Sequence, residues 1–186
     1  SSYAQAAAMA MGRAMDDVII TAASATAFTG ETGATSTAAQ TAIAAGGAGL
    51  TIAKLRTAKQ TFDLASVDPS IPRHIVVGPE QITNLLSTTE VTSSDFNTVK
   101  ALVQGEIDSF LGFKFTVSNR LAKSGNDRTC IAFAQDGITL AIGKDVSARI
   151  DERADKSYAT QVYYCQSIGA TRMEEAKVLG IVCQEA

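Results

Sequence analysis

The apolar positions of the first two dozen residues recur with a helical period. Tyr3, Ala7, Met11, Met15 and Ile19 fall at steps of four, with Ala6, Ala10, Ala14 and Val18 beside them. This predicts a helix over residues 3 to 24 with a narrow, small-residue face. Such a helix spans roughly 30 Å, and Gly12 costs it about 1 kcal/mol relative to Ala, so it is expected to lean on neighbours. Arg13, Asp16 and Asp17 mark its outward side. From Thr21 to Gly49 only Phe28 and Ile43 are large and apolar. That stretch cannot build a core and reads as an extended connector or exposed loop.

At Leu50 the character changes. Leu50 and Leu55 flank Thr51 at the spacing of a hydrophobic staple around an N-cap, and Ile52, Leu55, Ala58, Phe62 and Ala65 continue on one face, predicting a helix that starts after Thr51. Asp68-Pro69 and Pro72 end it. Ile75-Val76-Val77 reads as a short buried strand, and Gly78-Pro79 opens a short helix carrying Ile82, Leu85 and Leu86. Ser94 or Asp95 caps a further helix with Phe96, Val99, Leu102 and Val103 inward, closed by Gly105. Phe113, Phe115 and Val117 alternate with polar residues, as in a half-buried strand.

Asp136-Gly137 separates two five-residue runs, predicting a two-residue hairpin that pairs Gln135 with Ile138, Phe133 with Leu140 and Ile131 with Ile142. A polar, hairpin-like segment runs from Arg149 to Lys156, followed by strands through Tyr158 to Cys165 and Val178 to Cys183. The last is apolar on both faces and is expected to be central. Interleaved helices and strands indicate an α+β or mixed α/β architecture. The first helix and the last strands are expected to form one layer, with residues 50 to 145 as a compact lobe.

Composition narrows the function classes. The chain has 186 residues with 16 Lys and Arg against 19 Asp and Glu, which fits one domain or two small ones sharing a core. Of its 31 Ala, 17 fall in the first 50 positions, so the strong core-formers lie later. No run of large apolar residues is longer than Val18-Ile19-Ile20, far short of the roughly 20 needed for a membrane span, and the chain reads as soluble. It shows no signal segment, and with no initiating Met before Ser1 upstream sequence has room to exist. Cys130, Cys165 and Cys183 are odd in number and lack metal spacing, favouring reduced, buried thiols in a cytoplasmic setting. Mild acidity without a basic stripe argues against tight nucleic-acid binding.

The search for reacting groups is mostly negative. The sole His, His74, sits at the edge of an apolar strand, where a structural role outweighs catalysis. The sequence holds no nucleophile elbow, phosphate loop, dinucleotide fingerprint or zinc pattern. Neither catalytic residues, nor a cofactor, nor a metal is expected. The Gly46 to Gly49 loop before the Thr51 helix offers backbone N–H groups to an anion but lacks a phosphate-loop lysine; a soluble module binding a small ligand or anion there is the alternative function, and a flexible hinge the plainer reading. Asp16-Asp17 and Glu174-Glu175 are adjacent carboxylates that point apart. The mixed charges from Arg149 to Lys156 suit a wet loop or a contact between copies equally well.

Three stretches then carry a resemblance. They are Thr89 to Thr98 with Leu102 to Ile107, Phe110-Leu111-Gly112-Phe113-Lys114-Phe115 and Ser118-Asn119-Arg120-Leu121; the Ala-rich opening with Met11-Gly12-Arg13-Ala14-Met15-Asp16-Asp17; and Arg172-Met173-Glu174-Glu175-Ala176-Lys177-Val178. In order and spacing the chain resembles major capsid proteins of tailed double-stranded DNA phages over nearly its whole length. The resemblance implies a peripheral domain built from a spine helix (residues 1–39, with its connector) and long return strands (146–186), plus a mixed α/β axial domain (40–145). It implies a structural, non-enzymatic protein that assembles into an icosahedral head around DNA held only non-specifically. Copies of itself in hexamers and pentamers would be the partners, with scaffolding and portal proteins, assembly in the host cytoplasm and final residence in the virion. Gly105, Phe110, Gly112, Phe113, Ser118 and Asn119 are structural positions of the shared pattern, and Arg149, Asp151, Glu152, Arg153 and Arg172 are candidate ion-pair contacts between subunits. Family members carry an N-terminal arm and an extended loop before the spine helix; neither precedes Ser1, so their contacts, and any crosslink through a loop lysine, are not expected from this chain.

Overall fold

The computed structural model describes residues 2–87 and 109–185. Its centre is a six-stranded sheet. The strands are β3 (Arg73–Val77), β4 (Ser109–Phe110), β5 (Phe113–Val117), β6 (Lys123–Ser124), β7 (Asp127–Ala134) and β10 (Val178–Gln184), in the order β10-β7-β3-β5-β4 with β6 paired to β7. Only β3 and β5 run parallel. Two further strands, β1 (Ala27–Thr29) and β2 (Thr35–Thr37), form a small hairpin, and β8 (Ile138–Arg153) and β9 (Ala159–Arg172) form a long antiparallel ribbon.

The helices follow the sequence pattern closely. α1 covers Ser2–Ser24 and α2 covers Ile52–Leu64, and the Thr51 side chain accepts a hydrogen bond from Lys54 N as an N-cap. Leu50 and Leu55 are both buried on either side of that cap, as a staple requires. α3 (Pro79–Leu86) begins with Pro at its first position. α2 lies on the face of the sheet that carries Arg73, Ile75 and Phe113, with the Phe62 and Phe113 rings 6.1 Å apart and the Arg73 guanidinium 5.5 Å above Phe62. Leu55, Ala58, Phe62, Ile75, Val77, Leu85, Phe113, Ala132 and Ile181 form the core. Ala65, placed on the same helix face by periodicity, is exposed because α2 has already ended there.

Three expectations give way. Asp136-Gly137 is not a two-residue hairpin: β7 pairs with β10 and β3, while β8 pairs with β9. Such an Asp-Gly turn needs positive φ at both central residues, and neither Asp136 nor Gly137 adopts it. The chain instead leaves one sheet here and enters the other. Two-residue hairpins stand instead at Leu111-Gly112, with φ of 53° and 86°, joining β4 to β5, and at Gly125-Asn126, joining β6 to β7.

Second, β10 is not central. It is the last strand in the order, and its outer edge is met by the connector, where Ile43 N donates to Gly180 O at 2.9 Å and Val182 N to Ile43 O at 2.8 Å. β10 therefore does not share a layer with α1; β9 and β8 do. Third, the Thr21 to Gly49 stretch holds the β1–β2 hairpin as well as connector. The helix expected from Ser94 or Asp95 to Gly105 lies outside the described residues.

Candidate assembly surface

The β8–β9 ribbon has two unlike faces. Register pairs Ala148 with Tyr164 and Ile150 with Val162, and alternation puts Ile168 on the same side. α1 covers the proximal end of this apolar face, where Gln166 Nε2 donates to Met11 O at 3.4 Å. Beyond α1 the face is bare, and Ile150 is 67% exposed. The ribbon ends in a 3-10 turn, Ala154–Lys156, followed by Ser157 and Tyr158, both with left-handed φ, and Tyr158 is 72% exposed. At the free end of α1, Tyr3 and Met9 are also exposed.

Two adjacent crossings join the ribbon to the sheet. Met173 N donates to Gly137 O at 2.9 Å, and Lys177 Nζ bridges Asp136 at 2.6 Å and Glu174 at 3.0 Å. Those two carboxylates raise the Lys177 pKa. An exposed ion pair between Arg120 and Asp17 ties the sheet lobe to α1 and lowers the Asp17 pKa.

The five candidate contact residues do not converge. Arg149 and Asp151 line a groove on the polar face of the ribbon, Glu152 lies on the apolar side beside Ile150, and Arg153 at the tip pairs with Asp155. Arg172 is not available to another subunit. It is 4% exposed and donates to Ala23 O (3.2 Å), Ala25 O (2.8 Å) and Thr37 O (2.9 Å), so its charge fixes the end of α1 and the small hairpin from inside. Among the pattern positions, Phe110 and Phe113 flank the Leu111-Gly112 turn as a cross-strand pair. Ser118 N donates to Val77 O at 2.8 Å, and Asn119 O accepts from Arg128 at 3.1 Å. Gly105 lies outside the described residues.

The rival sites fare poorly. The Gly46 to Gly49 loop is filled by a cation: Lys54 Nζ donates to Ala48 O at 2.7 Å, Gly49 O at 2.9 Å and Val182 O at 2.9 Å. With carbonyls turned inward onto an ammonium, the loop is no anion cradle. His74 is sandwiched in register between Phe133, on which it stacks at 5.6 Å, and Lys114, and burial followed by the Lys114 charge lowers its pKa. Cys130 is buried; its hydrogen bond with Cys183 and its burial push the thiol up, away from nucleophilic use. Among the described residues no three His, Cys, Asp or Glu side chains converge as metal ligands, and no helix is long and apolar enough to cross a membrane. Periodicity missed Lys54, Arg120 and Glu185. Of these, Lys54 had a signal, since it stands in line with Ala58 and Phe62 at steps of four.

The family described as phage capsid protein matches residues 1–185. The chain belongs to the phage capsid protein family. No curated protein matches the sequence. Among solved structures, one described as Mycobacterium phage Che8 superposes with a TM-score of 0.69 at 22% identity, over 96% of this chain and 61% of that one. The capsid of cyanophage P-SCSP1u gives 0.64 at 15% identity, over 98% and 66%. The capsid of Ralstonia phage GP4 gives 0.61 at 14%, over 92% and 63%. At these identities the likeness is one of fold, and this chain spans less than two thirds of the length of each. The mixed helix-and-sheet fold of this capsid chain, with its long first helix against a long ribbon, is the one they share.

Proposed function

We propose that this capsid chain is the tile of an icosahedral head that encloses double-stranded DNA, meeting copies of itself through the distal half of the β8–β9 ribbon. The observation that carries the reading is the bare apolar face beyond α1, with Ile150, Val162 and Tyr158 in water. A ribbon of two strands is marginal alone, and covering this face with a neighbour supplies the missing layer. Glu152 and Arg153 flank that face and are the charges best placed to set its register with a neighbour. The peripheral part then comprises α1 with β8 and β9, and the axial part the six-stranded sheet with α2 and α3. On this reading the chain passes between the two parts at Asp136-Gly137 and at Met173 to Lys177.

Shell closure needs many modest contacts acting together, in hexamers and pentamers, with scaffolding and portal proteins as further partners and assembly in the host cytoplasm. The role is structural, and net charge of −3 keeps contact with packaged DNA weak and non-specific. Electron microscopy of the whole protein is expected to show closed particles. A persistent monomer or dimer under all assembly conditions counts against the reading.

A further inference from the structure

The opposite, polar face of the ribbon carries a cluster centred on a thiol. Cys165 Sγ lies 2.9 Å from Ser147 Oγ and accepts a hydrogen bond from Lys144 Nζ at 3.2 Å. In a regular strand Lys144 and Ser147, three residues apart, point to opposite faces. Two register shifts in β8, between Ile142 and Lys144 and between Lys144 and Ser147, turn both side chains onto the same thiol. Bulges re-aim side chains in this way, and two within five residues weaken the ribbon they interrupt. The cluster opens into a groove of about 600 Å³ that Arg149, Asp151 and Tyr163 also line. Hydrogen bonds from Ser147 and then Lys144 lower the Cys165 pKa, and two cations against one carboxylate make the groove positive. The other two thiols, Cys130 and Cys183, are buried in the six-stranded sheet.

We propose that Cys165 is a thiol-modification site that exchanges with low-molecular-weight disulfides bearing carboxylates. The Cys165 thiolate attacks one sulfur of the disulfide, a new S–S bond forms as the old one breaks, and the released thiolate leaves with the bonding electron pair and takes a proton from water. Cys165 is oxidised, half of the incoming disulfide is reduced, and no other oxidant is needed. Lys144 stabilises the attacking thiolate, and Arg149 faces the carboxylates of the incoming molecule. This inference does not depend on assembly.

The test incubates the whole native protein at pH 7 with glutathione disulfide or with cationic cystamine, and follows each cysteine by peptide-mapping mass spectrometry. Cys165 is expected to react several-fold faster than the same thiol in the urea-unfolded chain, while Cys130 and Cys183 stay unmodified. Glutathione disulfide is expected to react several-fold faster than cystamine. Lys144→Met and, independently, Ser147→Ala should raise the midpoint of the pH–rate profile and slow exchange at pH 7. The site is overturned if Cys165 reacts no faster than in the unfolded chain, or if neither variant moves the midpoint. Equal or greater reactivity toward cystamine overturns the preference for carboxylates.

Discussion

Glu185 shows how a charge can be kept inside this subunit. Its side chain is 3% exposed, yet it is paired with Arg128 and with Lys123 at 2.5 Å, and it accepts from Gln81 Nε2 at 3.1 Å. Arg128 first, with Lys123 and Gln81, holds the carboxyl down to about 2, against burial that pushes it up. A folded pKa below the unfolded one contributes stability at pH values above the ordinary 4.5, and that contribution disappears as pH falls toward 2. Glu185→Gln is therefore expected to lower stability by about 3 kcal/mol near neutrality, because the largely covered Arg128 loses its carboxylate partner. The gap from the parent protein should close as pH falls from about 4.5 to about 2, which urea titrations at stepped pH measure. A gap that stays constant across that window would show that the carboxylate does not carry it. Such residues were hard to read in advance because hydrophobic periodicity treats every charge as outward. Arg172 shows the same limit: nothing local reveals that its three acceptors come from Ala23, Ala25 and Thr37, some 140 residues earlier.

Elements were legible where local chemistry decides them. The Thr51 cap, the Leu50–Leu55 staple and Pro79 at a helix start each depend on neighbours within one turn, and each is where the pattern put it. Pairing was not legible, because an Asp-Gly step specifies a turn without saying which strands meet. Around Gly137 the decisive facts are distant ones. A Cβ there would meet Lys177 O at 2.9 Å and Ala134 O at 3.1 Å, both backbone atoms that cannot swing aside. Gly137→Ala is thus expected to cost about 1–3 kcal/mol and to loosen the junction of ribbon and sheet. Hydrogen exchange should show faster exchange at the Met173 amide, which donates to Gly137 O, with the β3 and β7 amides less affected. Uniform protection across both would mean the backbone absorbs the methyl elsewhere.

At the scale of the whole molecule the capsid reading makes the ribbon a liability in the free subunit and an asset in the shell. Ile150→Asp or Val162→Asp places a carboxylate in the bare apolar face without touching the buried core. Either change is expected to leave the thermal midpoint of the isolated subunit within about 2 °C, as surface changes do, and to abolish closed particles in electron micrographs. Particles formed by both variants would move the contact elsewhere on the surface. The candidate contacts were only partly legible in the sequence: the charged stretch from Arg149 to Arg153 was visible, while the division of its side chains between two faces needed the register of β8 on β9.

The strap formed by Ile43 also bears on how such a subunit survives crowding before it is assembled. By holding the Gly180 carbonyl and the Val182 amide on the outer edge of β10, it interrupts the row of open groups on which strand-by-strand growth is templated. On the capsid reading, a chain needed in many copies thus guards this border of its sheet against open-ended polymerisation, which would compete with closure.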